Sequence, residues 1–186
     1  MKNRLNPVNP EEAFGKTDEL YRGIHTKLGM VPNMMRTMGN SPAVLEGYLN
    51  FSQALGKGLL GGKLGEMIAL TVAQANSCDY CLSAHSLIGE KMAGVSPEAL
   101  YEARNGEHSD PKIQAVLQFA LALVEKKGQV TDEDVDRVIQ AGYTQGEVAE
   151  IVAHVGLNIF TNYFNNTANT TIDFPEVSAS DMIAVV

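Results

Sequence analysis

Residues 66–73, Glu-Met-Ile-Ala-Leu-Thr-Val-Ala, are apolar on nearly every side of the helix that they would form. A helix without a broad polar face has to be surrounded by other elements. We therefore expect this helix at the centre of the fold, with other helices packed around it.

The sequence before this stretch predicts three further helices. The first begins at Pro10-Glu11-Glu12 and keeps apolar residues at helical spacing as far as residue 28. The second is short and covers residues 34–38, and the third opens with Ser41 as its cap and runs towards residue 55. The glycine-rich residues 56–65 are predicted to form a hinge-like connection, because they lack the spacing of a phosphate-binding loop.

The sequence after it also predicts helices almost throughout. Caps and helical spacing indicate helices over residues 76–94 and 110–128, and further helices starting at Ser96, Thr131 and Thr144. No convincing alternating strand pattern occurs. We expect an all-α fold of about eight or nine helices with short connections.

We expect one domain, covering residues 1–175. After Asn169 the helical periodicity is lost, and residues 176–186 are predicted to be a C-terminal tail or a strap over a partner subunit. A chain of 186 residues is long enough to bury a sizeable core as a single domain.

The composition excludes several classes of partner. Hydrophobic residues make up 45% of the chain, which is typical of a globular protein. Acidic side chains outnumber basic ones by 22 to 14, and the formal net charge of -8 would repel phosphate. We therefore expect no nucleic-acid partner and no binding to anionic membrane surfaces.

The N-terminal residues have no apolar core like that of a signal peptide, and no run approaches the roughly 18 apolar residues of a membrane-spanning helix. A cytoplasmic location is predicted. Thiols are kept reduced there, so a lone pair of cysteines is expected to be catalytic or metal-binding rather than a structural disulfide.

The only two cysteines lie in residues 78–85, Cys-Asp-Tyr-Cys-Leu-Ser-Ala-His. With Asn76 or Ser77 as cap, Cys78 would lie in the first turn of a helix, where free N–H groups stabilise a thiolate. Cys81 and His85 follow three and seven residues later, on the same helical face. Two thiols and a base so arranged can accept an oxidising equivalent and close a disulfide.

Three alternatives compete with this redox interpretation. Cys78, Cys81 and His85 could supply three zinc ligands, although structural zinc sites usually have four. The cysteines could be small buried hydrophobic residues. His85 could be an ordinary hydrogen-bonded histidine.

Five residues share the spacing of a known active-site signature: Glu66, Cys78, Tyr80, Cys81 and His85. They resemble the site of the AhpD-like alkylhydroperoxidases, which belong to the carboxymuconolactone decarboxylase superfamily. Residues 142–170 are similar to the C-terminal helix of that family, and the resemblance extends over roughly residues 40–175. Tyr80 departs from the best-known peroxidase branch, which has histidine between the cysteines.

The resemblance implies an all-α fold, assembly into homotrimers or homohexamers, and a thiol peroxidase or disulfide reductase activity. It implies that Cys81 is the attacking thiol, activated by His85, with Glu66 as the remote proton acceptor and Cys78 as the resolving thiol. From the residues alone the order stays open, because the helix dipole favours a Cys78 thiolate and His85 favours a Cys81 thiolate.

The function expected from the sequence is therefore a cysteine-based peroxidase that reduces a hydroperoxide and is recycled by a dithiol, such as a lipoyl protein. No cofactor and no metal are expected, because the thiols hold the two electrons themselves. The alternatives are a thiol-disulfide oxidoreductase with little peroxidase turnover, and a non-redox decarboxylase or binding module in which the cysteines are incidental. Superfamily decarboxylases generally lack the cysteine pair, which makes that last alternative weaker.

Overall fold

The computed structural model describes residues 2–181, which form nine α-helices and no strand. The all-α prediction is thus confirmed, and the number of helices lies within the expected range. Two short 3-10 turns, Pro10–Glu12 and Ala179–Asp181, lie near the ends of the described chain.

The helices follow one another through short connections. In chain order they are α1 (Gly15–Leu28), α2 (Asn33–Met38), α3 (Pro42–Leu55), α4 (Gly61–Ala75), α5 (Asp79–Lys91), α6 (Pro97–Arg104), α7 (Pro111–Glu125), α8 (Asp132–Gln140) and α9 (Gln145–Ala168).

Helix α4 is the centre of the fold, as its sequence predicts. Its Ile68, Leu70 and Val72 are completely buried, and the helix contacts α5, α6, α7 and α9. Its one buried hydroxyl, on Thr71, donates to the Ala103 carbonyl at 2.6 Å. The hydroxyl is therefore buried without losing its hydrogen bond. Helix α4 is therefore packed between four other helices.

The predicted helix ends are right where capping residues define them. Thr131 and Thr144 each form a complete capping box, with Asp134 and Glu147 respectively, so α8 and α9 begin as expected. Glycine residues indicated the helix ends less reliably than the capping residues did. The predicted hinge over residues 56–65 is wrong in its second half, because α4 already begins at Gly61.

The predicted first helix is also shorter than expected. Pro10–Glu12 forms only a 3-10 turn, capped by the side chain of Asn9, and α1 starts at Gly15. The acidic proline-containing segment had the pattern of a helix start. The backbone becomes extended at Ala13, however, which leaves too few residues for a stable α-helical turn.

The described part of the C-terminal segment folds back over its own chain. The Val177 N–H donates to the Ser83 hydroxyl at 2.9 Å, Arg104 donates to the Ser178 carbonyl at 2.7 Å, and the Ala179 N–H donates to the Asp79 carboxylate at 2.8 Å. These bonds tie the segment to α5 and α6. Residues 182–186 of the predicted tail lie outside the described residues.

None of the helices within residues 2–181 combines the length and the apolar content that crossing a membrane requires.

One face of α9 has no cover within the described chain. Phe160 and Tyr163 are 40% and 59% exposed, and with Leu5, Phe164 and Thr167 they line a shallow apolar groove. Large apolar side chains grouped in this way are typical of protein interfaces. The predicted homo-oligomer stays a prediction, and this groove on α9 is where we expect its subunit contact.

We predict that Tyr163→Asp shifts the protein from the expected trimer or hexamer towards smaller species, because it would place a charge in the expected subunit contact. Light scattering at micromolar concentration measures the mass. Phe14→Glu is the control, since Phe14 is 86% exposed on a different element. A monomeric wild-type protein would overturn this expectation.

Candidate active site

The turn between α4 and α5 places the two cysteines. Asn76 ends α4, Ser77 adopts the left-handed conformation (φ 49°), and Cys78 is the residue that precedes α5. The expectation that Cys78 lies inside the first helical turn is therefore wrong by one position. The Cys78 N–H is bonded to the Ala73 carbonyl at 2.9 Å, which holds the turn against the end of α4.

The two thiols are reduced, buried and adjacent. The Cys78 thiol donates to the Cys81 sulfur, with 2.7 Å between the two Sγ atoms. Cys81 lines a cavity, whereas Cys78 is completely buried and is not among the lining residues. The cavity thus borders Cys81, and Cys78 lies beside Cys81 away from the cavity.

Polar contacts favour the thiolate at Cys81. Burial opposes ionisation, but the hydrogen bond from Cys78, the charge of His85 and the hydrogen bond from Asn165 lower the pKa of Cys81 to about 7. Asn165 Nδ2 donates to the Cys81 sulfur at 3.3 Å. The hydrogen bond to Cys81 and burial raise the pKa of Cys78 far above its usual value.

These contacts favour Cys81 as the thiolate and Cys78 as the protonated thiol, an assignment that the sequence left open. Cys78 acts as a hydrogen-bond donor and stays protonated, while Cys81 receives the bonds that stabilise negative charge. The dipole of α5 would favour a Cys78 thiolate, but the Cys78 side chain makes no capping hydrogen bond to the helix and donates its proton towards Cys81.

Glu66 and His85 form a close pair across α4 and α5. Glu66 Oε2 lies 2.7 Å from His85 Nδ1, and the two side chains are 20% and 24% exposed. Burial opposes a charged imidazole, but the charge and hydrogen bond of Glu66, with a contribution from Cys81, raise the pKa of His85 above its usual value. The pair therefore favours an imidazolium near the Cys81 thiolate.

Among the described residues no direct hydrogen bond joins His85 to Cys81, so their coupling is electrostatic. Glu66 lies in the second turn of α4, not in the first turn as the predicted helix start implied. A carboxylate at the helix end would be well solvated. One turn further in, Glu66 is within reach of the histidine on α5.

Tyr80 lies in the wall of the site. Its hydroxyl accepts a hydrogen bond from the Met34 N–H at 3.0 Å, and its ring meets Phe174 edge to face, with 5.6 Å between the centroids. Burial raises the pKa of Tyr80, so the phenol stays protonated. The side chain links α5 to α2 and to the C-terminal segment.

The cavity has a volume of about 460 Å³ and is mainly apolar. Its lining brings together four of the five predicted residues, namely Glu66, Tyr80, Cys81 and His85. Much of the remaining wall is made by side chains of Met30, Met34, Met35, Leu87, Ile88 and Leu157. Such a chamber fits an organic molecule with a sizeable apolar part.

Two asparagines of α9 belong to the site but were not predicted from the sequence. Asn162 and Asn165 are buried beside Cys81, more than 80 residues away in sequence. Asn162 Oδ1 accepts from Asn76, whereas its Nδ2 and the Oδ1 of Asn165 have no partner within the described residues. The available signal was the group of asparagines in the second half of α9, at positions 158, 162, 165 and 166. Buried amides are usually retained for the hydrogen bonds that they make.

Removing the Asn165 amide should raise the pKa of Cys81, since the thiolate loses a donor. Alkylation of Cys81 in Asn165→Ala should slow about tenfold near neutral pH and recover at high pH, where the thiol ionises unaided. Peptide mass spectrometry after timed iodoacetamide treatment measures the rate. Asn166→Ala is the matched control, because that amide bonds to the Asn76 carbonyl. Equal slowing in both variants would contradict the assignment.

Residues 2–181 contain no cluster of three or more histidine, cysteine, aspartate or glutamate side chains placed to hold a metal ion. The expectation of no bound metal therefore stays a prediction with a direct test. Elemental analysis of the purified protein should find far less than one zinc per chain. One zinc per chain that disappears in both Cys78→Ser and Cys81→Ser would restore the zinc alternative.

Comparison with known proteins gives a family match for part of the chain. Residues 42–126 match the carboxymuconolactone decarboxylase family, a span that contains both cysteines, Glu66 and His85. Among curated proteins no match was found.

Solved structures share the fold over nine-tenths of the chain. An alkylhydroperoxidase AhpD core structure, of an uncharacterized peroxidase-related protein from Ralstonia eutropha JMP134, has a TM-score of 0.83 at 22% identity, with 92% of each chain covered. A peroxidase-related protein from Silicibacter sp. TM1040 has a TM-score of 0.78 at 21% identity, covering 90% of this chain and 92% of that one.

A third similar structure is a cysteine-to-alanine variant of the debrominase Bmp8 in complex with 2,3,4-tribromopyrrole. Its TM-score is 0.78 at 23% identity, with 93% of each chain covered. At these identities the structures show a common fold and leave the reaction to be argued from the site. The chain therefore shares the fold of these structures, and its residues 42–126 are similar to the carboxymuconolactone decarboxylase family.

Proposed function

We propose that the protein is a thiol-dependent peroxidase that reduces organic hydroperoxides. One observation carries the proposal: of two adjacent thiols, only the one with the lowered pKa faces the cavity. An accessible thiolate with a second thiol beside it is the arrangement that a two-electron reduction and disulfide closure require.

The first step is attack of the Cys81 thiolate on the terminal oxygen of the hydroperoxide. An S–O bond forms, the O–O bond breaks, and the carbon-bound oxygen leaves as an alkoxide that takes a proton to become the alcohol. Cys81 is oxidised to a sulfenic acid and the peroxide is reduced by two electrons. The His85 imidazolium supplies the proton, and Glu66 stabilises that charged form of His85 until the proton moves.

The second step forms the disulfide. The Cys78 sulfur attacks the Cys81 sulfur, the S–O bond breaks, and water leaves with the Cys78 proton. The 2.7 Å separation of the sulfurs in the reduced state means that little movement is needed. An external dithiol then reduces the disulfide by thiol exchange, and a lipoyl protein is the proposed donor class.

Tyr80 is a positioning residue in this proposal. Its hydroxyl is engaged by the Met34 N–H and its ring by Phe174, so it keeps the cavity wall in place beside Cys81. The base found between the cysteines in the best-known peroxidase branch has no counterpart at this position. His85 is then the proton carrier next to Cys81.

The cavity favours a bulky hydroperoxide over hydrogen peroxide. Apolar walls contribute binding free energy only when a hydrophobic group fills them, at roughly 25 cal/mol for each Å² of apolar surface removed from water. Cumene hydroperoxide has such a group, whereas hydrogen peroxide has none. We expect the higher kcat/KM for cumene hydroperoxide.

A halogenated aromatic ring is the second candidate substrate. The observation that favours it is the same apolar cavity beside a thiol pair, in a fold shared with a debrominase. Two thiols can supply the electrons that replace a C–Br bond by C–H, with release of bromide and formation of the disulfide. Bromide release from 2,3,4-tribromopyrrole with no thiol loss on peroxide treatment would favour this reaction over the peroxidase.

The proposal is tested by counting thiols before and after one equivalent of cumene hydroperoxide. We expect two thiols in the reduced protein, none after treatment, and one equivalent of cumyl alcohol. Cys78→Ser should stop at a sulfenic acid that dimedone traps, and Cys81→Ser should not react. Unchanged thiols in the wild-type protein would overturn the peroxidase proposal and favour an exchange-only or a non-redox enzyme.

The proton relay predicts a graded effect of two variants. His85→Ala should slow peroxide consumption by roughly 10²–10⁴-fold, the usual contribution of a positioned acid or base. Glu66→Gln should also slow peroxide consumption, because the loss of the carboxylate lowers the pKa of His85 and thereby raises the pKa of Cys81. The loss should be smaller than in His85→Ala, because the imidazole itself is still present. Both deficits should shrink towards about pH 9, where the thiol ionises unaided.

Stopped-flow peroxide consumption across this pH range, with thermal unfolding of each variant, separates the relay from a structural role. A histidine that only supports the fold would lower the melting temperature in His85→Ala and leave the rate per folded molecule unchanged. That outcome would end the relay hypothesis.

A further inference from the structure

Phe174 brings an aromatic ring into the cavity wall from the C-terminal segment. It is half-buried and lines the same cavity as Cys81, although it lies outside residues 42–126. Tyr80 also lines the cavity, and it directly precedes Cys81 in the chain, with about 3.8 Å between the two Cα atoms. Aromatic surface is therefore part of the wall next to Cys81.

The rings of Tyr80 and Phe174 meet nearly at a right angle, and we call this pair the aromatic corner. Their centroids are 5.6 Å apart and their planes make an angle of 81°, so the edge of one ring points to the face of the other. Aromatic rings prefer this contact or an offset stack, because the face of a ring is negative and its edge is positive. A planar ring of a ligand can pack against such a corner through the same two kinds of contact.

The aromatic corner is held in place on both sides. The Asp173 carboxylate accepts a hydrogen bond from the Asn33 N–H at 2.8 Å, and Pro175 restricts the Phe174 backbone to extended conformations. The Tyr80 hydroxyl is held by the backbone of α2. Side chains that are ordered before binding lose little conformational freedom when a ligand arrives. The corner is thus preorganised for a ligand.

Methionines of the wall add to the preference for an aromatic ligand. Met30, Met34, Met35 and Met92 line the cavity. A thioether sulfur makes favourable contacts with an aromatic ring, and the unbranched side chain adapts to the shape of that ring. A saturated ring of the same size gains hydrophobic contact in this cavity but neither ring–ring nor sulfur–ring contacts.

We propose that the aromatic corner binds an aryl group, which makes aryl hydroperoxides the substrate class of the site and Phe174 a specificity-determining residue. The inference rests on the proposed peroxidase function for the hydroperoxide group. The corner holds the aryl group in the wall while Cys81 attacks the outer oxygen. The second candidate substrate, a halogenated aromatic ring, has an aryl group for the same corner.

The binding test uses two inert alcohols of matched shape, cumyl alcohol and its saturated analogue 2-cyclohexylpropan-2-ol. Both are titrated calorimetrically into Cys81→Ser. The measured quantity is the ratio of the two dissociation constants, because contacts that the alcohols share cancel in it. Combining Cys81→Ser with Phe174→Leu should lower the preference for cumyl alcohol by roughly two- to tenfold, the usual contribution of an aromatic pair. Phe174→Tyr, which restores a ring, should retain the preference.

Phe51→Leu is the matched control. Phe51 lies on α3, which borders the cavity through Tyr48, but Phe51 is 42% exposed and is not among the lining residues. The ratio should not change in this variant. Equal weakening of both alcohols in Phe174→Leu would show that the ring only supports the wall, and it would overturn the inference. A Cys81→Ser protein that does not bind cumyl alcohol would overturn it as well.

A second measurement leaves Phe174 unchanged. In Cys81→Ser with labelled phenylalanine, we expect nuclear Overhauser contacts between the ring protons of bound cumyl alcohol and the ring of Phe174. The signal of Phe174 is identified by its loss in Phe174→Tyr. Absence of these contacts would contradict the inference even if Phe174→Leu did not fold.

Turnover separates this inference from the peroxidase proposal. The ratio of kcat/KM for cumene hydroperoxide to that for its cyclohexyl analogue should fall in Phe174→Leu by the same factor, while the pH midpoint of Cys81 alkylation stays unchanged. If the wild-type protein consumes no peroxide but the alcohol ratio depends on Phe174, the peroxidase proposal fails and the aryl site stands. If peroxides are consumed and neither ratio depends on Phe174, only the aryl site fails.

Discussion

The contact between Glu66 and His85, 2.7 Å from Oε2 to Nδ1, joins the two helices on which the site is built. Glu66 belongs to the most buried helix of the fold, and His85 belongs to the helix that carries the cysteines. The carboxylate favours the charged imidazole, and the charged imidazole favours the thiolate one turn away. The electrostatics of the thiol pair thus depend on how α4 and α5 pack.

The sharp turn between α4 and α5 makes this packing possible. Ser77 takes the left-handed conformation, and Cys78 caps α5 instead of entering it. As a result the Cys78 thiol is directed towards the Cys81 sulfur and is removed from the cavity. The same turn therefore separates the roles of two residues that are only three positions apart.

Helix α9 completes the environment from the other end of the chain. Asn165 donates to the Cys81 sulfur, and His154 contributes to the cavity wall. Neutral donors of this kind stabilise charge without introducing a competing carboxylate or ammonium group. The site is a chamber with apolar walls, one ion pair and a few directed donors.

Local sequence signals predicted much of this arrangement. The apolar run in residues 66–73 identified the central helix, and capping residues located α8 and α9. The spacings of three and four residues predicted Cys78, Cys81 and His85 on one helical face, although Cys78 lies just before the helix. The Gly61 start of α4 was missed, because glycine weakens a helix locally and here tertiary packing overrides that preference. Asn165, His154 and the cavity were missed because they depend on contacts between residues far apart in the chain.

The central claim is that Cys81 is the thiolate and Cys78 the protonated partner. The most direct measurement is the rate of carbamidomethylation of each cysteine in the reduced wild-type protein, followed by peptide mass spectrometry as a function of pH. The account predicts that Cys81 reacts first, with a midpoint near its pKa of about 7, and that Cys78 reacts far more slowly. Faster modification of Cys78, or a Cys81 midpoint at the ordinary thiol value of about 8.5, would contradict it.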